Sequence, residues 1–520
     1  ILLTSFALAL PVYSFAANGK NKASDPSLTK IRPNIIFILT DDLGYGDVGL
    51  FFQNQRKANN LREKPWFTRP NLDEMPSQGA VLEHYAAAPV CAPSRASLLL
   101  GQSQGHANVR DNQFDKELAD NYTLGSVMQS VGYKTFAIGK WGLQGGTKSG
   151  GKPSWTAFPL DRGFDEYFGY IRHSDGHEHY PKEGVYRGKK EVYDNHDEVS
   201  AKLDNCYTGD LFTAKAKEFI INHHGSKNKE QPFMMYLSYD TPHAVLELPT
   251  QAYPAGFGLN GGLKWLGKDH QMINTARGLP DSYYHPDYEN ATYDDDHDRT
   301  TPEKPWPDVY KRYATIVRRI DYQVKDIIQL LKDLKIEENT LVIFTSDNGP
   351  SQESYLKESF HPDFFGGYGP FDGIKRDLLE GGFRVPTIAL WPGHIKAGAK
   401  ISEPSIFYDW MPTFANLAGL PAPVVSDGKS LLPQLIDKGK SQSRVIYSEY
   451  TSGGRTPDYT DFSTNHRNRV RKQMQMIRIG DTVGVRYDIK SADDDFEIYH
   501  IRKDPQQTRD LAKTNDLSSL

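Results

Sequence analysis

The chain has 520 residues, 38% hydrophobic and 24% charged, which excludes a stapled mini-protein or a lone small binding module and suits about three domains or, equally well, one large α/β unit with an appendage. Its 61 basic and 66 acidic residues leave a net charge of -5. No global basic field exists to hold nucleic acid or an anionic membrane, so an anionic substrate must be drawn by a local cluster of cations.

Residues 1–17 read as a secretory signal peptide: an apolar run from Ile1 to Leu10, small residues at Ser14, Ala16 and Ala17, and polar sequence from Asn18 onward. The run is too short for a bilayer span, and no other segment reads as one. Cys91 and Cys206 are the only cysteines, so one disulfide is arithmetically possible and a disulfide framework is not. Export together with so few cysteines points to a bacterial periplasmic or secreted protein.

Pro33 to Thr40 is a continuous apolar run with β-branched content, as a strand buried on both faces requires. Thr135 to Ile138, Phe233 to Leu237 and Leu341 to Ser346 have the same character. Between them lie helical patterns, clearest from Tyr310 to Leu334, where Ile316, Ile320, Val324, Ile327 and Leu331 recur at helical spacing. The alternation predicts an α/β sheet covered by helices on both faces over residues 33–426. Residues 250–307, rich in Tyr, Asp, His, Pro and Gly and without sustained periodicity, read as a long insertion. Residues 441–520 read as short strands forming a small antiparallel sheet, the C-terminal α+β subdomain.

Two strand ends carry oxygen ligands: Asp41-Asp42 follows Thr40, and Asp347-Asn348-Gly349 follows Ser346. Sites in open α/β sheets form outside the carboxyl ends of strands, where these side chains can converge. Three carboxylates and an amide carbonyl make a hard-oxygen set suited to Ca²⁺ or Mg²⁺. Singly, each motif is a turn or a helix cap. In Cys91-Ala92-Pro93-Ser94-Arg95, Pro93 suits the first turn of a helix running on through Leu98 to Leu100. Residue 91 then sits at a helix N-terminus, which favours an anion, with Arg95 on the same side of the first turn.

Cys-x-Pro-Ser-Arg before an apolar helix and Gly101 resembles the signature of the type I sulfatases, in the alkaline-phosphatase-like superfamily, whose cysteine becomes formylglycine. The likeness continues in order along the chain. Asp41 and Asp42 with Gly44 to Asp47 resemble the first metal strand, and Gly139-Lys140-Trp141 the sulfate-binding lysine motif. Pro242-His243 is similar to the catalytic histidine motif, Asp347-Asn348-Gly349 to the second metal strand, and Lys375 before Glu380 to Pro386 to the last active-site lysine segment. Glu497-Ile498-Tyr499 resembles the closing motif of the C-terminal domain.

The resemblance implies a large mixed sheet and hydrolysis of sulfate esters, with Ca²⁺ favoured over Mg²⁺ as the cation. Asp41, Asp42, Asp347, Asn348 and the modified residue 91 would hold the metal. A hydrated aldehyde at position 91 suits the reaction: one hydroxyl attacks sulfur, and the other expels sulfate and restores the aldehyde. Arg95 would steady that hydrate, Lys140 and Lys375 would neutralise sulfuryl oxygens, and His243 would serve the leaving oxygen or touch sulfate directly. A formylglycine-generating maturation enzyme is an implied partner.

The sequence departs from the family pattern at Gly142, where many members carry a histidine that takes a proton from the diol. His177-Glu178-His179 before Tyr180-Pro181 resembles a feature of polysaccharide-acting members sharing this glycine. His177 or His179 then supplies the missing imidazole, or both are surface loop histidines. Secretion, this resemblance and an aromatic insertion whose rings could stack on sugars favour a sulfated oligosaccharide substrate. The rival readings are a phosphoester or phosphonate hydrolase of the same superfamily and a non-catalytic sulfoglycan-binding protein.

Overall fold

The computed structural model describes residues 32–149, 152–439 and 444–514; the signal-peptide reading of residues 1–17 lies outside them. The central sheet has ten strands. In chain order they are β1 (Asn34–Thr40), β2 (Gly79–Leu82), β3 (Lys134–Gly139), β4 (Glu166–Tyr170) and β5 (Val192–Asp194). They continue with β6 (Asp197–Glu198), β7 (Phe233–Ser238), β8 (Thr340–Ser346), β9 (Ile388–Leu390) and β10 (Ala399–Ile401). The spatial order is β10-β2-β9-β8-β1-β7-β3-β4-β5-β6. The centre is parallel, β8-β1-β7-β3-β4, and the sheet turns antiparallel at β9 on one side and β5 on the other.

The continuous apolar runs are explained by burial on both faces. The first long helix, α1, spans Cys91–Leu100. Ile36, Ile38, Met235, Leu237, Val342 and Phe344 face one core, packed under α2 (Thr208–Gly225) and α3 (Asp308–Asp333). Their neighbours Ile35, Phe37, Leu39, Met234, Tyr236, Leu341 and Ile343 face the other core, under α1 and α4 (Trp410–Leu417). Strand alternation sends successive side chains to opposite layers, so a strand between two helical layers must be apolar at every position.

The C-terminal domain is an antiparallel sheet of β11 (Val445–Arg455), β12 (Val470–Ile479), β13 (Thr482–Arg486) and β14 (Glu497–His500). Its inner face, with Ile446, Tyr450, Met474, Met476, Val483 and Val485, packs on Val90, Cys91, Leu378 and Phe383. The appendage thus covers the residue that opens α1. Arg471 forks onto Asp377 at 2.8 and 2.9 Å, and the Leu378 N–H donates to the Tyr487 hydroxyl at 2.7 Å, fixing the loop that carries Lys375.

The segment 250–307 is ordered by tertiary contacts rather than by its own periodicity. The buried Asp326 carboxylate on α3 accepts from Lys217, the Tyr253 hydroxyl and the N–H groups of Gly258 and Leu263. Its two tryptophans pack against neighbouring side chains. Trp306 is buried and stacks on Tyr288, and Trp265 packs edge-on against Phe168 with Lys215 over its ring. Cys91 and Cys206 are both free and buried, so they form no disulfide with one another. No helix among the described residues is long and apolar enough to cross a membrane.

Candidate active site

Parallel pairing puts several strand ends level. Thr40 is in register with Ser346, Leu39 with Ser238, and Ser238 with Gly139, so Asp41, Asp42, Asp347, Asn348, Lys140 and the 239–243 segment emerge at one edge of the sheet. Asp42 takes a left-handed backbone (φ 68°), and its N–H donates to Asp347 Oδ1 at 3.2 Å. Asn348 Nδ2 donates to Asp42 Oδ1 at 2.7 Å.

Helix α1 brings Cys91 and Arg95 to the same edge, and it stops where Gly101 adopts a left-handed turn (φ 64°). Ser94 ties the helix start down: its hydroxyl donates to the Asp347 carbonyl and accepts from the Ala88 N–H. The Arg95 guanidinium, fully buried, donates to Asp347 Oδ2 at 2.8 Å, to Asp41 Oδ2 at 3.2 Å, to the Lys140 carbonyl at 3.1 Å and to the Ser238 hydroxyl. It cross-links the two carboxylate strands instead of pointing free beside residue 91.

Two buried lysines complete the charge pattern. Lys140 Nζ lies 2.6 Å from Asp41 Oδ2, and Lys375 Nζ 2.8 Å from Asp42 Oδ2. Burial works to raise the pKa of Asp41, but Lys140, His243, Arg95 and Lys375 outweigh it and hold this carboxyl far below its usual range. Asp347 moves the other way: burial and the Asp41 charge push it up to about 7. Burial pushes the Cys91 thiol up to about 11, so the unmodified side chain is a protonated thiol near neutral pH and a poor nucleophile.

The donor set fits a hard divalent cation. Asp41 Oδ1 and Asn348 Oδ1 are buried without a hydrogen-bond partner. Asp41, Cys91 and Asp347 offer ligand atoms within 4.8 Å of one another, as do Asp41, Asp42 and His243. Orphaned buried oxygens of this kind are costly unless something positive meets them.

The histidines occupy distinct places around position 91. The imidazole beside position 91 belongs to His173: its Nε2 is 3.8 Å from Cys91 Sγ, and its Nδ1 is buried without a partner. A Cβ added at Gly142 (φ 71°) would come within 3.3 Å of that Nδ1, so His173 fills the space in front of the glycine. Burial, then Lys140, keeps its pKa well below the ordinary histidine value, and the ring is neutral.

His179 is not available as the missing imidazole, because both of its nitrogens are committed, Nδ1 to Asp240 at 3.0 Å and Nε2 to the His243 carbonyl at 3.0 Å. His177 lies at the site without touching Cys91; it stacks on His243 with centroids 4.3 Å apart and planes 15° apart. His243 points Nε2 at Asp42 and Glu353, 3.6 and 3.7 Å away, and donates from Nδ1 to the Ala244 carbonyl at 2.7 Å. Burial and Lys375 lower its pKa.

Sequence reasoning did not single out Glu353, which pairs with Arg376 at 2.6 Å and lies 3.5 Å from Lys375, nor Asp240 or Ser238. No motif marks them. His173 had one signal, the glycine at 142, which left the basic role either lost or filled by another histidine.

A buried thiol at a helix start, beside the Asp41 and Asp347 carboxylates and two buried lysines at the carboxyl edge of a mixed sheet, is an arrangement suited to hydrolysing esters of a tetrahedral oxyacid. The chain belongs to the sulfatase family: the model described as Sulfatase matches residues 33–420, and that of the N-sulphoglucosamine sulphohydrolase C-terminal region matches residues 366–520. It is a sulfuric ester hydrolase with the alkaline-phosphatase-like fold. Mouse N-acetylgalactosamine-6-sulfatase is 30% identical over 436 residues, covering 80% of this chain and 68% of the relative. The rat protein of that name is 31% identical over 461 residues, covering 85% and 71%. Among solved structures, Ps i-CgsB in complex with k-i-k-neocarrahexaose matches with a TM-score of 0.64 at 25% identity, covering 94% of this chain and 90% of that one.

Proposed function

We propose that this chain is an exported bacterial sulfatase, periplasmic or secreted, that removes sulfate from a sulfated oligosaccharide after Cys91 is matured to formylglycine. The observation that carries this reading is one buried cluster in which Asp41 and Asp347 stand beside Cys91, with Asp42, Asn348, Lys140 and Lys375 linked to those carboxylates. A saccharide substrate is supported by the mouse and rat relatives, sulfatases of N-acetylgalactosamine by name, and by the neocarrahexaose held by Ps i-CgsB.

Asp41, Asp42, Asp347 and Asn348 would hold the cation, Ca²⁺ in preference to Mg²⁺, beside residue 91. Bound there, the cation and formylglycine would supply a charge-stabilised sulfuryl oxygen and an acidified hydroxyl nucleophile. The chain's own residues do the rest. Arg95 fixes the spacing of Asp41 and Asp347, and Lys140 and Lys375 present positive charge where negative charge accumulates on sulfuryl oxygens. Neutral His173 would take a proton at the position-91 side chain, and His243, with Nε2 directed at Asp42 and Glu353, would serve the leaving oxygen.

Ion chromatography of sulfate and phosphate released from carrageenan, ulvan, chondroitin and heparin oligosaccharides and from phosphoesters tests the reading, with Cys91→Ala as the blank. Sulfate from one glycan, absent in the blank, is expected. Phosphate in its place would make the chain a phosphoester hydrolase. Glycan binding with no release by protein carrying the aldehyde would make it a binding protein.

A further inference from the structure

In His177-Glu178-His179 alternate side chains part company, and the middle one builds something outside the catalytic cluster. The Glu178 carboxylate, fully buried, accepts from the N–H groups of Val185, Tyr186 and Arg187 at 2.9, 3.0 and 2.6 Å. An exposed turn is thereby pinned from beneath, and the Tyr186 hydroxyl adds a bond to Asp281 at 2.6 Å. From this turn the exposed Arg187 side chain lies over the ring of Tyr355, 4.2 Å from its centroid. Tyr355 in turn sits 5.8 Å from His177 and 6.5 Å from His243, ring to ring, so this stack stands at the rim of the site. No carboxylate among the described residues pairs with Arg187. Stacking on the aromatic face leaves the N–H edge of the guanidinium open, the geometry that takes a planar or tetrahedral oxyanion in two parallel hydrogen bonds.

We propose that Arg187, held over Tyr355, is a second anion subsite that binds a sulfate or carboxylate on the sugar neighbouring the one being desulfated. The substrate is then an oligosaccharide with charge on adjacent residues, not an isolated monosulfated sugar. This deepens the sulfatase reading above and rests on it.

The test compares the matured enzyme on three disaccharides that share the scissile sulfate and differ in the neighbouring sugar: neutral, sulfated, or a uronic acid. Wild-type kcat/KM is expected to favour a charged neighbour, and the preferred arm names the anion. In Arg187→Ala the charged-to-neutral ratio should fall about ten- to hundredfold, the range of a charge-assisted hydrogen bond, with Arg187→Lys in between. An unchanged ratio in Arg187→Ala, or no wild-type preference for either charged disaccharide, overturns the proposal. If wild type releases sulfate from nothing, the sulfatase reading has failed by itself. Calorimetry of the same three ligands on Cys91→Ala protein with and without Arg187→Ala then still reads the subsite, as a ratio of affinities.

Discussion

His173 Nε2 stands 3.8 Å from Cys91 Sγ, in space opened by the missing side chain of Gly142. The ring is held by Phe114, whose centroid is 4.5 Å away, and by the backbone bond from the His173 N–H to Asp115 at 2.7 Å. Removing a positioned base costs about 10²–10⁴ in rate, so His173→Ala should lose that much kcat on the best sulfated substrate, with KM little changed. His177→Ala, which removes a ring stacked on His243 and leaves position 91 untouched, should lose much less. Equal losses at the two positions would mean that His173 only packs.

Cation loading should be visible without turnover. Asp347 is pushed up to about 7 by burial and the Asp41 charge, and Asp41 Oδ1 and Asn348 Oδ1 have no partner, so the folded protein gains by binding positive charge there. A ligand at a hundredfold excess over its Kd stabilises by about 2.7 kcal/mol. Calorimetric melting after EGTA treatment should therefore show a lower Tm, restored by Ca²⁺ at lower concentration than by Mg²⁺. Asp42→Ala should abolish the restoration. A Tm indifferent to chelator and cation would remove the metal from the mechanism.

The fold was legible where burial dictated composition. Ile35 and Ile36 face opposite cores, so their strand had to be apolar throughout, and α3 had to show its helical stripe because only one side packs on the sheet. The ligand pairs at 41–42 and 347–348 were legible because parallel register brings strand ends together. Other features were invisible because they are made by contacts across the fold. Glycine at 142 reads as a lost histidine until His173 is seen beside it. Likewise, residues 250–307 carry no period of their own, and contacts such as those of the Gly258 and Leu263 N–H groups with Asp326 on the following helix hold them in place.

That carboxylate is a point of weakness. Asp326 is fully buried, and it binds Lys217 at 2.7 Å together with two backbone N–H groups and a tyrosine hydroxyl. Breaking a buried pair by removing one partner costs about 3–5 kcal/mol, because the other is left uncompensated. Asp326→Ala should lose stability on that scale in urea unfolding, and limited proteolysis should cut first within residues 250–307. Cleavage elsewhere, or stability within ~0.5 kcal/mol of wild type, would show that apolar packing alone orders the segment.

The commitment of His179 gives the protein a signature at alkaline pH. Burial pulls its pKa down, but Asp240 at 3.0 Å, with Glu247 and the His243 carbonyl, outweighs this and raises it from 6.5 to about 9. Donation from both ring nitrogens requires the imidazolium, so the folded state binds this proton more tightly than the unfolded chain does. The stabilisation is therefore fully present below pH 6.5 and is lost as pH rises through 9. A shift of this size is worth about 3 kcal/mol. Urea unfolding at pH 6, 8 and 9.5 should show wild type losing its advantage over His179→Gln across that interval. Because His179 holds the His243 carbonyl, the variant should also lose kcat at pH 6, where wild type keeps the contact. A stability difference between the two proteins that is the same at pH 6 and pH 9.5 would mean that His179 is neutral in the fold and holds His243 by shape alone.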